Sequence, residues 1–136
     1  MGKGRTVSRI LLVEDGELNR TLVKAVLARA DVAAVRAAEV LDATNLSAAR
    51  DALSGEEVDL VLLDMNLPDG NGLTLARELA AGEATAGRPK PAVVAVTASV
   101  LPQDRAAAIE AGCDGFLDKP YAAADLVATV ARHLPD

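Results

Sequence analysis

Asp59–Gly72 reads DLVLLDMNLPDGNG, and the place of the Asp64 carboxylate within it decides how the rest of the chain is read. Leu60–Leu63 is a short apolar run of the kind found in an inner strand of a parallel sheet, which is covered on both faces. Its length alone also fits a turn of buried helix. The run stops at Asp64, and a Pro- and Gly-containing segment, Met65–Gly72, follows. A charge where a buried strand ends does nothing for packing, and open α/β sheets carry their binding sites at the carboxyl ends of strands. Taken alone, Asp64 is better read as a cap for the next segment. The other strand ends change that balance.

The chain has 136 residues, the size of one domain, and just over half of them are apolar. Trp is absent, and Phe116 and Tyr121 are single examples of their kinds, so Ala, Val and Leu must fill the interior. That composition suits helices packed closely on a sheet and argues against an aromatic platform for single-stranded nucleic acid. A net charge of −6 disfavours DNA, RNA or an anionic membrane as a direct partner. With Cys113 as the single cysteine, neither a disulfide framework nor a cysteine-based zinc site can form within the chain, which fits a reducing, cytoplasmic location. No apolar stretch approaches the ~18 residues of a membrane span. The basic start, MGKGRTVSR, lacks the cleavage site of a signal peptide. Residues 1–8 are therefore expected to form a flexible leader and residues 9–135 a single domain.

The chain alternates strand and helix. Ile10–Val13 is an apolar run ending at Glu14 and Asp15, and a helix follows in which Leu18, Leu22 and Val26 mark the expected apolar face. Ala30–Val40 is the least defined part, with Asp31–Ala38 either extending that helix or forming a loose turn. A second strand lies within Glu39–Ala43, and a short helix over Leu46–Leu53 is capped from Asn45–Ser47. After Gly72 a helix runs to about Ala81, with Leu73, Ala76, Leu79 and Ala80 on one side. Gly82–Pro91 is a loop in which Arg88 and Lys90 read as solvated. Ala92–Val96 is a fourth apolar run, ending at Thr97. Pro102 opens a helix that Gly112 stops. Gly115–Leu117 is a fifth short strand, followed by Asp118, Lys119 and Pro120, and Ala123–His133 is the last helix. Such alternation implies a mainly parallel sheet with helices on both faces and right-handed crossovers.

In such a sheet Glu14, Asp15, Asp64, Thr97 and Lys119 all fall on one edge. Carboxylates drawn together repel, and Lys119 supplies only a single positive charge. A hard divalent cation with oxygen ligands, Mg²⁺ or Mn²⁺, would complete the balance. In that setting an Asp64 oxygen can attack phosphorus and form an acyl phosphate, and lysine, hydroxyl and backbone N–H groups can stabilise the transferred group.

These residues carry a resemblance. Over about Ser8–Leu134 the sequence resembles the receiver domain of two-component response regulators, through ILLVED (Ile10–Asp15), LVLLDMNLPDGNG (Leu60–Gly72), VTAS (Val96–Ser99) and AGCDGFLDKPY (Ala111–Tyr121). The resemblance implies a flavodoxin-like fold: a doubly wound, five-stranded parallel sheet in the order 2-1-3-4-5, with five helices in a three-layer α/β/α sandwich. It implies that Asp64 accepts a phosphoryl group from a sensor histidine kinase or histidine phosphotransfer protein. Asp15, Asp64 and the backbone carbonyl of Asn66 would ligate Mg²⁺, with Glu14 acting through a metal-bound water. Thr97 would bond the phosphoryl group, Lys119 would pair with it, and the Lys119–Pro120 bond would be cis. Phe116 stands where the family keeps a rotating aromatic switch coupled to Thr97; lacking a hydroxyl, it can signal only by packing.

The face that would respond comprises Pro102–Ala111, Gly115–Leu117 and Ala123–His133, the fourth helix, fifth strand and fifth helix. It is the expected surface for a homodimer or downstream partner, with Gln103, Arg105, Glu110, Asp118 and Asp125 exposed. The chain would also lose its phosphoryl group to water at a rate set by Asn66 and Ser99. His133 reads as a helix-end residue favoured by the negative dipole end, Cys113 as a small turn residue and Tyr121 as partly packed.

Four other readings compete. An aspartyl-nucleophile phosphohydrolase needs a second aspartate two positions after the first, where this chain has Asn66. A flavin-binding domain of similar topology needs a phosphate loop after the first strand, where Glu14 and Asp15 would repel phosphate. A receiver-like docking module that takes no phosphate would not need Asp15, Asp64, Thr97 and Lys119 together. The chain could also be the receiver part of a hybrid histidine kinase or multidomain regulator.

Overall fold

The computed structural model describes residues 7–98 and 101–135, so most of the expected leader and Ser99 lie outside the described residues. The elements follow the order β1 (Arg9–Val13), α1 (Glu17–Ala28), α2 (Ala33–Ala37), β2 (Glu39–Ala43), α3 (Leu46–Gly55), β3 (Leu60–Asp64), β4 (Asn66–Leu67), β5 (Gly70–Asn71), α4 (Leu73–Ala80), β6 (Ala92–Thr97), α5 (Pro102–Glu110), β7 (Gly115–Asp118) and α6 (Ala123–His133). The five main strands form a sheet in the order β2-β1-β3-β6-β7, every neighbouring pair parallel. This is the expected 2-1-3-4-5 arrangement, counted over the main strands. β4 and β5 form a separate two-residue antiparallel ladder in the segment after Asp64.

Strand alternation builds a core on each face of the sheet. Leu11, Val13, Val61, Leu63, Val93 and Ala95 point to the layer made by α3, α4 and α5. Ile10, Leu12, Leu60, Leu62, Val94 and Val96 point to the layer made by α1, α2 and α6. All five residues of β3 are buried, as expected for a middle strand covered on both faces. Leu and Val supply nearly all of the large core side chains, and the small Ala49, Ala76 and Ala108 let the helices sit close to the sheet.

The helices number six, not five, among the described residues. α1 ends where the Arg29 and Ala30 N–H groups turn back to Val26 and Leu27. Asp31–Ala38 then neither extends α1 nor stays loose. α2 forms there because Val35 is buried in the second core and the Arg36 guanidinium donates to the Ala30 carbonyl at 2.7 Å.

The inward face of α1 also differs from the expectation. Val23 and Leu27 are buried with Val26 beside them, whereas Leu18 and Leu22 are 71% and 53% exposed. The helix carries two apolar stripes. The one that faces the sheet, Val23–Val26–Leu27–Ala30, repeats at i, i+3, i+4 and i+7 and continues into the buried Val35. On α4 it is Leu75, not Ala80, that joins Leu73, Ala76 and Leu79 in the core. Arg88 is not simply solvated. It donates to the Ser54 and Gly55 carbonyls at 2.6 and 3.5 Å, and so satisfies the last turn of α3 from a distant loop.

The reversed stripe on α1 sets a clear expectation for stability. Leu27→Ala should cost about 2–5 kcal/mol, the usual loss for truncating a buried leucine. Leu18→Ala should stay within about 0.5 kcal/mol, as surface changes do. Denaturant unfolding of the two variants checks this, and equal losses would place Leu18 in the core.

Candidate functional site

The parallel register assembles the sheet edge. Val13 of β1 pairs with Leu63 of β3, and Asp64 pairs with Val96 of β6, so Glu14 and Asp64 leave their strands side by side. Thr97 of β6 pairs with Asp118 of β7, which places Lys119 one step beyond. The ladder continues past the strand ends: the Lys119 N–H donates to the Thr97 carbonyl at 2.8 Å and the Met65 N–H to the Val96 carbonyl at 3.3 Å.

Oxygens of Glu14, Asp15 and Asp64 all lie within 4.8 Å of one another. Glu14 and Asp64 are buried, and Asp15 is exposed. The Lys119 ammonium donates to Asp64 Oδ2 at 3.3 Å and sits 3.5 Å from Glu14 Oε1. Burial by itself would lower the Lys119 pKa; the facing carboxylates of Asp64 and Glu14 outweigh it and hold the ammonium above its ordinary value. The other oxygens are engaged too: Asp64 Oδ1 accepts the Asn66 N–H at 3.1 Å and Glu14 Oε2 the Gly16 N–H at 3.0 Å. Three carboxylates facing a lone ammonium leave an excess of negative charge and an all-oxygen donor set, which fits a hard divalent cation.

The segment after Asp64 is folded tightly against it. The Gly72 N–H donates to the Met65 carbonyl at 2.9 Å, and a Cβ at Gly72 would come within 2.3 Å of the Asp64 carbonyl oxygen. No larger residue fits there without moving the backbone that carries the site. Asn66 is exposed at the edge of the cluster. The Lys119–Pro120 bond is cis.

Thr97 and Phe116 line a second space of about 190 Å³ with Asn66, Met65 and Arg105. Phe116 is half-buried, and the Arg105 guanidinium lies over its ring, 5.2 Å from the centroid. The same guanidinium reaches both carboxylate oxygens of Asp118 at 2.6 and 2.5 Å. Gln103, Glu110 and Asp125 are exposed as expected, but Arg105 and Asp118 are only half-exposed because each covers the other. Sequence reasoning placed both on this face and missed that they bind each other across it.

It also missed a groove on the opposite side of Lys119. This cavity of about 580 Å³ is lined by Leu22, Val26, Pro120, Tyr121 and Leu126, with Lys119 at its rim. Tyr121 is half-buried there, and burial raises its phenol pKa. The exposed Leu18 and Leu22 follow the outer side of α1 next to this groove. His133 and Cys113 stand apart from the site. The His133 Nδ1 donates to the Thr129 carbonyl at 2.8 Å and the ring packs on Gly115. Burial raises the Cys113 thiol to about 11, which keeps it protonated and unreactive near neutral pH.

Comparison with known proteins agrees with this geometry. The family model described as "Response regulator receiver domain" matches residues 10–131. Sensory/regulatory protein RpfC of Xanthomonas campestris pv. campestris is 33% identical over 123 residues, covering 90% of this chain and 16% of that protein. Aerobic respiration control sensor protein ArcB of Escherichia coli K12 is 37% identical over 130 residues, covering 90% of this chain and 15% of that protein. The chain thus spans about a sixth of the length of these two curated relatives. Among solved structures, the receiver domain of a sensor histidine kinase from Pseudomonas aeruginosa PAO1, with a magnesium ion coordinated in its active-site cleft, superposes with a TM-score of 0.76 at 28% identity, covering 94% of this chain and 98% of that one. A receiver domain protein from Methanospirillum hungatei JF-1 shares the fold, with a TM-score of 0.77 at 24% identity over 93% of each chain. With the parallel sheet, the acidic cluster at its edge and a family match over nearly the whole length, the chain belongs to the response regulator receiver domain family of two-component systems.

Proposed function

We propose that the chain is a phosphoacceptor switch that takes a phosphoryl group onto Asp64 from the phosphohistidine of a sensor kinase or phosphotransfer protein. The observation that carries this reading is the buried Asp64 carboxylate, held between the Lys119 ammonium at 3.3 Å and the Asn66 N–H at 3.1 Å, within 4.8 Å of Glu14 and Asp15 oxygens. An Asp64 oxygen attacks phosphorus, a P–O bond forms, and the P–N bond breaks with its electron pair leaving on imidazole. Lys119 and the Asn66 N–H hold the nucleophile in place and then stabilise charge on the transferred group. Thr97, at the end of the neighbouring strand, offers a hydroxyl to the phosphoryl oxygens. Asp15, Asp64 and the Asn66 carbonyl would hold Mg²⁺, or Mn²⁺ in its place, with Glu14 acting through water. That ion would offset the charge of the carboxylates and the incoming phosphoryl group.

The product carries roughly −1.5 to −2 charge where Asp64 carried one. Thr97 and Lys119 are donors at the ends of β6 and β7, so moving toward that charge would pull on the α5–β7–α6 face. Phe116 is the two-state element, with room beneath it in the space shared with Thr97. Arg105 holds the ring from outside while bound to Asp118. That face is the proposed surface for a homodimer or downstream partner. Among the described residues no helix is long and apolar enough to cross a membrane, and we place the activity in the cytoplasm, whether the chain acts alone or as the receiver part of a larger regulator.

The phosphodonor must bring phosphorus to Asp64, so it must cover the surface around the site. One apolar surface beside the site is the outer stripe of α1, Leu18 and Leu22, with the groove that Leu22 and Lys119 line. We assign it to the phosphodonor protein, an apolar side of which would fill it.

Incubation with Mg²⁺ and a small phosphodonor should add one base-labile phosphoryl group by intact mass. Asp64→Asn should take none while leaving the fold intact by circular dichroism; labelling of that variant at wild-type stoichiometry would overturn the assignment. Chelating the metal should stop labelling, and Asp15→Asn should require at least about tenfold more Mg²⁺ by titration, in line with losing a charged metal ligand. Leu22→Glu should slow transfer from a phosphorylated histidine protein by about tenfold or more, since burying a charge in that contact costs over 1.4 kcal/mol. Labelling of the same variant by a small phosphodonor should be unchanged, and equal slowing with both donors would remove α1 from the docking surface.

A further inference from the structure

The segment that carries Asn66 is tied at its tip to a helix that holds none of the proposed site residues. Asp69, at the turn between β4 and β5, accepts the Leu46 N–H on Oδ1 at 2.8 Å and the Ser47 N–H on Oδ2 at 3.1 Å. These are the first two N–H groups of α3, which no bond inside the helix can satisfy. Asn45 satisfies the third, accepting the Ala48 N–H at 2.7 Å. α3 therefore needs a carboxylate from 22 or 23 residues further along the chain to complete its first turn. The two hydrogen bonds from α3, that from Leu46 first, hold the Asp69 carboxyl below its ordinary pKa, with Arg50 of the same helix adding to the effect.

A second link runs between the same helix and the far end of the same segment. The Arg50 guanidinium bonds both oxygens of Glu78 on α4 at 2.8 Å. The other end of α3 is itself fixed, because Arg88 binds its last carbonyls. Leu46 is buried in the core and its Cδ1 would lie 3.0 Å from a Cβ at Gly70, so the tip of the turn rests directly on α3. α3 is thus a fixed post, and residues 66–78 are fastened to it at Asp69 and Glu78. At its base the segment is held by the Gly72 N–H to Met65 bond and the short β4–β5 ladder.

We infer that Asp69 is a positioning residue for the acceptor site: by docking on α3 it fixes the β4–β5 turn and with it the Asn66 backbone, whose N–H holds Asp64. The inference rests on the phosphoacceptor reading for its consequence, since Asn66 is the residue whose carbonyl would face the metal. The bonds of Asp69 go to the Leu46 and Ser47 N–H groups, so its effect on the site runs through the turn.

Asn45 provides the control, because its side chain caps the same helix through the Ala48 N–H, a bond local to that helix. Asp69→Ala and Asn45→Ala should lose similar thermal stability. Only Asp69→Ala should weaken Mg²⁺ binding, measured by calorimetry, by about ten- to hundredfold, the usual size of an outer-sphere effect. It alone should speed amide exchange across Asn66–Asn71. Asp69→Asn, which keeps one acceptor oxygen, should fall between it and wild type, and serves if the alanine variant does not fold. Matching Mg²⁺ affinities and exchange rates in the Asp69 and Asn45 variants would reduce Asp69 to a helix cap and overturn the inference. Phosphoryl labelling of the wild-type chain tests the phosphoacceptor reading separately, since the Mg²⁺ and exchange comparisons need no phosphodonor.

Discussion

Buried negative charge at the carboxyl edge of the sheet is the constraint on which the rest of the site depends. Glu14 and Asp64 are both out of water and share one ammonium, Lys119, while Asp15 stands within 4.8 Å at the surface. Removing a carboxylate from water is costly unless it is paired and hydrogen-bonded. The fold meets that cost with three fixed donors: the Lys119 ammonium, the Gly16 N–H and the Asn66 N–H. Each comes from a different strand end, so the site exists only while β1, β3 and β7 keep register. A slip by one residue in any of them would turn its polar residue to the other face of the sheet. The two apolar cores that fix the register are therefore part of the site in a direct sense.

The same edge is held differently on its two flanks. On the α3–α4 side, Asp69 and Glu78 fasten the segment after Asp64, and Gly72 leaves no slack against the Asp64 carbonyl. On the α5–β7 side, Phe116 is half-buried over a space of about 190 Å³ and is covered by Arg105. The pair of Arg105 with Asp118 is partly exposed and is worth little as a source of stability. Its value lies in where it puts the guanidinium, over the ring that would have to move. A weak contact there would suit the switch proposed for Phe116, since a partly exposed ion pair costs little to break.

Much of this was legible because its signals are local. Short apolar runs that each end in a polar residue, separated by helical spacings, were enough to give the parallel sheet and bring Glu14, Asp15, Asp64, Thr97 and Lys119 to one edge. The failures share a cause as well. α1 offers two apolar stripes, and choosing between them needs the position of Val35, which follows only from the fold. α2 forms because Val35 finds the second core and Arg36 finds Ala30, while its own sequence is an undistinguished run of Ala and Val. Asp69, Arg88 and Arg105 read as turn, loop and surface residues, and each instead binds a group 13 or more residues away. Hydrogen bonds of that span leave no periodicity in the sequence.

The exposed leucines of α1 take on meaning when set beside the charge. The chain has a formal net charge of −6, and the rim of its site is acidic. Under the proposed reading an incoming phosphohistidine would also be anionic; a bound divalent cation would offset the repulsion at the site itself, while the net charge of the chain would still weaken long-range steering. Short-range apolar contact would then add to binding, with Leu18 and Leu22 able to bury the 71% and 53% of their surface that is still exposed. Such contact has little directional character and discriminates poorly between partners. Selectivity falls to the polar residues around the stripe. Two of these, Arg20 and Lys24, are already turned back onto Asp42 of β2, with Arg20 also donating to the Glu14 carbonyl. Asn19 lines the groove itself, and Glu17 opens the helix at its solvent side. The basic residues of α1 thus serve the fold, and the surface left to a donor is apolar with an amide and a carboxylate at its edge. A matching partner face would carry aliphatic side chains flanked by a cation placed to meet Glu17.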